Sequence, residues 1–78
     1  MSDKLRKSLN FEIEKLQRGI EWREDDIDEY IECLITENLS DSEKESVKKD
    51  IYDLQVEIDH LNFHIGVLKR KIMNIREE

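Results

Sequence analysis

The chain has 78 residues, of which 42% are charged and 37% apolar, and it carries a formal net charge of −7 with one cysteine and no proline. A chain this short forms one domain at most, and without disulfides it usually needs another copy or a partner to bury enough surface. The lone Cys33 excludes a disulfide framework, and no apolar run reaches the length of a membrane span or a signal peptide. We therefore expect a cytoplasmic protein without membrane contact. The lack of alanine and the abundance of Ile, Lys, Glu and Asn are typical of AT-rich genomes, such as those of low-GC bacteria and their phages.

The first predicted element is a helix at about 4–36. With Leu9 at heptad position d, its seam consists of Leu9, Ile13, Leu16, Ile20, Arg23, Ile27, Tyr30 and Leu34. Arg23 is the charged member of this seam, and we expect its guanidinium to reach water or to pair with Glu24 or Glu57. The alternative is that Arg23 contacts a partner through a gap in the seam.

A turn is predicted at about 37–41, because the first heptad pattern ends there and helix-start signals follow. Ser40 with Glu43, or Ser42 with Glu45, matches the capping box, in which a hydroxyl and a carboxylate satisfy backbone N–H groups at a helix start. A turn this short makes the flanking helices antiparallel neighbours.

The second helix, predicted at about 42–76, carries the most regular pattern in the chain. Its apolar residues alternate spacings of four and three through Val47, Ile51, Leu54, Ile58, Leu61, Ile65, Leu68, Ile72 and Ile75. This alternation is the coiled-coil signature, since a repeat of 3.5 residues per turn keeps one apolar seam facing a partner helix.

The two heptad patterns also predict how the helices pair. If residues whose numbers sum to 81 lie opposite each other, every a position meets a d position, as in Leu9 with Ile72 or Leu34 with Val47. The sequence therefore predicts an all-α fold in which 1–78 form a single antiparallel two-helix coiled-coil hairpin. A straight rod that pairs with a second chain would use the same seam.

A second set of large apolar residues lies off the seam. We call Phe11, Trp22, Tyr52, Val56, Phe63 and Val67 the second apolar stripe; Ile31 and Ile35 also lie off the seam. Exposed apolar patches usually mark an interface, and Gly66 beside the stripe would allow another backbone to approach closely. We expect self-association into a four-helix or larger bundle, with docking on a different protein as the alternative.

Negative charge is concentrated in 24–57, which contain 13 Asp or Glu against three Lys. We call this segment the acidic half, and its predicted protein-binding residues are Glu24, Asp25, Asp28, Glu29, Glu32, Asp53 and Glu57. The flanking segments 1–23 and 58–78 balance at +2 and +1. Carboxylates at helical spacing are typical of a solvated face, and they also suit docking on a basic surface, including one that normally binds nucleic acid.

The sequence offers little support for catalysis or for a metal site. Cys33 has no base near it in sequence, and no glycine-rich phosphate loop is present. Glu57 with His60, and His60 with His64, have spacings used by metal ligands, but their heptad positions point outward. We therefore predict no enzyme activity, no cofactor and no metal.

The function predicted from these features is that of a small acidic module that binds another protein, as a regulator or inhibitor docking on a larger, basic protein. One alternative is a structural or chaperone-like coiled coil that associates only with itself. The other is a dimeric hairpin that binds RNA by its basic end, with Phe11 and Phe63 stacking on bases. The residues of that basic end are Lys4, Arg6, Lys7, Lys15, Arg18, Lys69, Arg70, Lys71 and Arg76.

Overall fold

The computed structural model describes residues 2–75 as two helices, α1 (Ser2–Thr36) and α2 (Asp41–Met73). The described residues contain no strand, and the two helices pack against each other, which confirms the all-α prediction. Arg76, predicted to belong to the basic end, lies outside the described residues, as does the predicted end of the second helix at 76. Neither helix within the described range has a segment long and apolar enough to cross a bilayer.

The start of α2 is defined by a capping box at Ser40. The Glu43 backbone N–H donates to the Ser40 hydroxyl oxygen (3.2 Å), and the Ser40 backbone N–H donates to the Glu43 carboxylate (3.3 Å). Of the two predicted pairs, Ser40 with Glu43 is the one that forms, and Ser42 lies inside the helix. These bonds satisfy backbone donors that have no partner within the helix, so the turn stops where the sequence places its first capping signal.

Side-chain contacts at two levels of the hairpin show that the helices are antiparallel. The Arg6 guanidinium donates to the Ile75 carbonyl oxygen (3.4 Å), and these residue numbers sum to 81. The Arg23 Nε donates to the Glu57 carboxylate (2.8 Å), one residue away from the same sum. Both contacts agree with the predicted pairing to within one residue.

The core between the helices is thin. In the described chain the buried apolar side chains are Ile13, Ile58, Ile65 and Leu68, each 6% exposed. The remaining seam residues are half-buried, and Leu9, Leu16, Ile20 and Ile72 pack around this core. Two helices can cover each other along one stripe only, so every other face of each helix stays open to solvent.

The hairpin is long and narrow, as expected when each helix is covered on one side only. Its Cα atoms span 62 × 14 × 11 Å with a radius of gyration of 17.9 Å, against about 11.5 Å for a compact chain of this length. Its solvent-accessible surface is 6521 Å², against about 5,000 Å² for a compact monomer of the same mass. A single hairpin therefore leaves much more surface in water than a globular domain does.

Arg23 occupies its seam position by turning its charged group toward the surface. Its Nε pairs with Glu57, the second of the two predicted partners, and its Nη1 donates to the Gly19 carbonyl oxygen (2.9 Å). A Cβ atom at Gly19 would lie 3.2 Å from that Nη1, so the glycine leaves room for the guanidinium. Both charged side chains are partly exposed, so water screens the pair and it stabilises the hairpin little.

Replacing Arg23 with leucine should stabilise the hairpin. The Arg23→Leu side chain would extend the apolar seam opposite Ile58 and remove the partly desolvated charge, raising the free energy of unfolding by about 1 kcal/mol, or the Tm by about 4–8 °C. Thermal unfolding followed by circular dichroism at a fixed chain concentration measures this.

The matched control for that experiment is Glu57→Gln, which removes the ion pair and keeps the apolar seam. It should change the Tm only slightly, because the pair is screened. A clear fall in Tm for Arg23→Leu would contradict the interpretation and would mean that Arg23 stabilises the hairpin through its contacts with Glu57 and Gly19.

Candidate functional site

The outer face of α2, opposite the seam, carries a row of apolar side chains. Tyr52 is 68% and Phe63 74% exposed, and Val56 and Val67 are half-buried. At about 100° per residue these four positions fall within about 60° of arc on the helix surface. We call this row, Tyr52, Val56, Phe63 and Val67, the α2 stripe. Nothing within the hairpin covers its two aromatic rings.

Gly66 adds an open space beside the α2 stripe. A Cβ atom built at Gly66 would meet nothing within 4 Å, and Gly66 has no positive φ angle. A glycine inside a helix destabilises it by about 0.5–1 kcal/mol relative to alanine. Gly19 has a use within the hairpin, since it makes room for Arg23, whereas no contact within the hairpin explains Gly66.

The outer face of α1 carries a different row, in which two basic residues lie between two aromatic ones. Phe11 is 57% and Trp22 77% exposed, and Lys15 and Arg18 lie between them at helical spacing. The Lys15 ammonium lies 5.5 Å from the centroid of the Phe11 ring, which is cation–π distance. A shallow surface hollow between Lys15 and Arg23 borders Trp22.

The structure therefore divides the second apolar stripe into two surfaces. The α2 stripe lies on one side of the hairpin, and Phe11 and Trp22 lie on the outer face of α1, because the seam holds the two helices with their outer faces pointing away from each other. Ile31 and Ile35 are exposed on a further side of α1, roughly half a turn from Trp22. The four aromatic residues of the stripe are exposed and its two valines are half-buried, and no single flat partner surface would cover all six.

Sequence reasoning missed two exposed apolar residues at the open end of the hairpin. Leu5 and Met73 are both exposed; Leu5 lies one turn before the first seam residue of α1, and Met73 directly follows a seam residue of α2. Their heptad positions were the signal that could have found them, since Met73 follows the seam residue Ile72 and so points away from α1.

The acidic half forms the other end of the rod, and most of its charges have no basic partner among residues 2–75. Among the described residues, the only acidic side chains of this half in an ion pair are Glu45, 3.6 Å from Lys48, and Glu57, 2.8 Å from Arg23. All seven predicted binding residues are exposed, namely Glu24, Asp25, Asp28, Glu29, Glu32, Asp53 and Glu57. The folded turn brings the carboxylates of the two helices together at this end, which concentrates negative potential there.

Cys33 is half-buried on α1, in a cluster of acidic residues. Partial desolvation, with the nearby carboxylates of Glu37, Glu32 and Glu29, raises the pKa of the Cys33 thiol, so it is protonated at neutral pH. His60 and His64 are exposed. Within residues 2–75, no three His, Cys, Asp or Glu side chains come together in a group that could hold a metal ion.

Comparisons with protein-family models, with curated proteins and with solved structures gave no match to this chain. Its function is therefore inferred from its own surfaces.

The environment of Cys33 predicts its reactivity. Because the pKa of its thiol is raised, the thiolate fraction at pH 8 is smaller than that of an unperturbed cysteine, and alkylation by iodoacetamide should be slower than that of a free cysteine peptide. Glu37→Gln removes a carboxylate that both repels the thiolate and accepts the thiol hydrogen bond, so it should speed the reaction. Glu12→Gln, on the distant part of α1, is the control and should leave the rate unchanged. A wild-type rate equal to that of the free peptide would contradict this.

Proposed function

We propose that this chain is a non-enzymatic module that binds another protein, acting as a regulator or inhibitor of a larger protein with a basic surface. The proposal rests on the charge of the acidic half, which contains 13 Asp or Glu and three Lys. In the described chain only Glu45 and Glu57 of these acids have a basic partner. Binding to a basic surface would relieve the repulsion between the remaining carboxylates and would speed association by long-range attraction.

We also infer that the hairpins associate with one another into a four-helix or larger bundle. The thin core, the large surface and the exposed aromatic rings of Phe63 and Trp22 support this, since a lone hairpin leaves most of its large off-seam side chains in water. In such an assembly the acidic residues of α1 stay exposed. Self-association through α2 and binding of a basic partner through α1 would therefore use largely different helices of the same chain.

Reversing two charges in the acidic half should weaken partner binding. We expect immobilised wild-type chain to retain basic proteins from a cell extract at about 50 mM salt and to release them at about 300 mM, because salt screens exposed charges. The Asp25→Lys, Asp28→Lys variant should retain much less of the same proteins. Titration calorimetry with a purified retained protein then measures the loss, which we expect to be at least tenfold in affinity.

The matched control is the Asp3→Lys, Glu14→Lys variant, which changes the net charge equally but outside the acidic half. It should bind like the wild type if position matters and not only total charge. An equal loss of affinity in both variants, or binding that does not weaken as salt is raised, would overturn the electrostatic proposal. The chain would then fit a structural coiled coil that associates with itself alone.

RNA binding is the second candidate, and the row on the outer face of α1 favours it. Phe11, Lys15, Arg18 and Trp22 place exposed rings next to basic groups, which suits stacking on bases beside phosphate contacts. If this function holds, RNA binding is lost in Lys15→Glu, Arg18→Glu or Arg70→Glu and is unaffected by Asp25→Lys. The net charge of −7 opposes it, so protein binding remains the proposal.

Charged residues placed in the α2 stripe should dissociate the bundle. The Phe63→Asp, Val67→Asp variant would place carboxylates in the proposed interface while the seam residues stay intact, so we expect a monomer that keeps its helicity. Light scattering over a concentration series gives the mass, and circular dichroism on the same samples gives the helicity. An unchanged mass would show that the α2 stripe is not the surface of self-association.

A further inference from the structure

We infer that a second copy of this chain packs antiparallel against the α2 stripe, with a two-fold axis that passes between Asp59 and His60. This inference rests on the proposed self-association and names its surface, symmetry and register. It starts from the spacing of the stripe.

The spacings within the α2 stripe are four, seven and four, so the row reads the same in both directions. A two-fold antiparallel contact requires this property, because the same surface must meet itself reversed. With residue numbers that sum to 119 lying opposite each other, Tyr52 faces Val67 of the second copy, and Val56 faces Phe63. Each large side chain then meets a small one.

Gly66 completes the fit of this pairing. It lies next to Val67, so the ring of Tyr52 from the second copy would lie over the open space at Gly66, where a Cβ atom meets nothing within 4 Å. A small residue opposite a large ring lets two helices approach closely. The pairing therefore gives Gly66 a use that the lone hairpin lacks.

The charges of α2 favour the antiparallel direction. Residues 41–57 contain six Asp or Glu against three Lys, whereas residues 58–75 contain Asp59 against Lys69, Arg70 and Lys71. An antiparallel pair brings the negative half of each helix alongside the positive half of the other, and a parallel pair would bring like charges together.

The length of the contact suits a stable dimer. In this register, residues 46–73 of each copy pair with one another over about 42 Å of helix. Tyr52 and Phe63, at 68% and 74% exposed, would cover about 300 Å² per chain from their rings alone. The flanking positions along the pair supply the rest of the roughly 1,000 Å² that a specific interface needs.

Residues next to a two-fold axis face their own symmetry mates, and this makes the register testable. Asp59 lies about 50° from the centre of the α2 stripe, so with helix axes about 9 Å apart its Cβ atom would lie roughly 5 Å from that of Asp59 in the second copy. A cysteine pair at that separation forms a disulfide with a small adjustment. Asn62, on the other side of α2, would lie far from its own mate.

The test is disulfide formation in a Cys33→Ser background under mild oxidation. Asp59→Cys should give mostly a covalent dimer on non-reducing gels, and Asn62→Cys should give little. Equal cross-linking of the two variants, or none in Asp59→Cys, would overturn the proposed axis.

A volume exchange tests the register independently. Val56→Phe places two rings opposite each other and Phe63→Val places two valines there, so each should weaken the dimer about tenfold or more in sedimentation equilibrium. The double variant Val56→Phe, Phe63→Val restores a ring facing a valine and should recover most of the affinity. A double variant no tighter than the weaker single one would overturn the pairing.

These outcomes separate the inference from the function on which it rests. A monomeric wild type that still binds basic proteins overturns the dimer and leaves the acidic docking surface intact. A dimer that fails both tests overturns the register and the axis alone. If Asp59→Cys cross-links and the double variant recovers its affinity, but the chain does not bind basic proteins, the dimer is supported and the protein-binding proposal is contradicted.

Discussion

The hydrophobic seam between α1 and α2 sets the conditions for every other surface of this chain. Two helices can bury one stripe each, and within residues 2–75 that contact buries Ile13, Ile58, Ile65 and Leu68, each of which is still 6% exposed. The seam is regular enough to determine the direction and register of the helices, but it is too narrow to cover the large side chains elsewhere. The same geometry that makes the hairpin also leaves its outer faces available for partners.

Polar residues interrupt the seam at Arg23 and end it at the turn, and in both places neighbouring groups satisfy their hydrogen bonds. Arg23 occupies a core position because its neighbour at Gly19 has no side chain and because Glu57 accepts its hydrogen bond from α2. Ser40 and Glu43 satisfy each other's backbone N–H groups at the start of α2, where no preceding helical turn supplies carbonyl acceptors. These contacts contribute more to the placement of the helices than to their stability, since they are exposed or partly exposed.

The acidic half and the α2 stripe, both left uncovered by the seam, would attract partners over different distances. The acidic half acts over about a Debye length and depends on salt, whereas the α2 stripe acts only on contact and depends on shape. Five of the seven predicted acidic binding residues lie on α1, whereas the α2 stripe lies on α2, so the proposed basic partner and the proposed second copy would contact largely different helices. The basic and aromatic row on α1 remains a third surface, on the side of the hairpin opposite the α2 stripe.

The sequence by itself determined the helices, the direction and register of the hairpin, and the presence of unpartnered apolar residues, because periodicity specifies the angular position of each residue on its own helix. It also placed the capping signal, although it left Ser40 and Ser42 as alternatives. Only the tertiary structure selected Glu57 over Glu24 as the partner of Arg23, divided the second apolar stripe between two faces, and showed that Gly66 borders open space. These features depend on the distance between side chains of different helices, and that distance follows from how the helices pack and not from the pattern along either one.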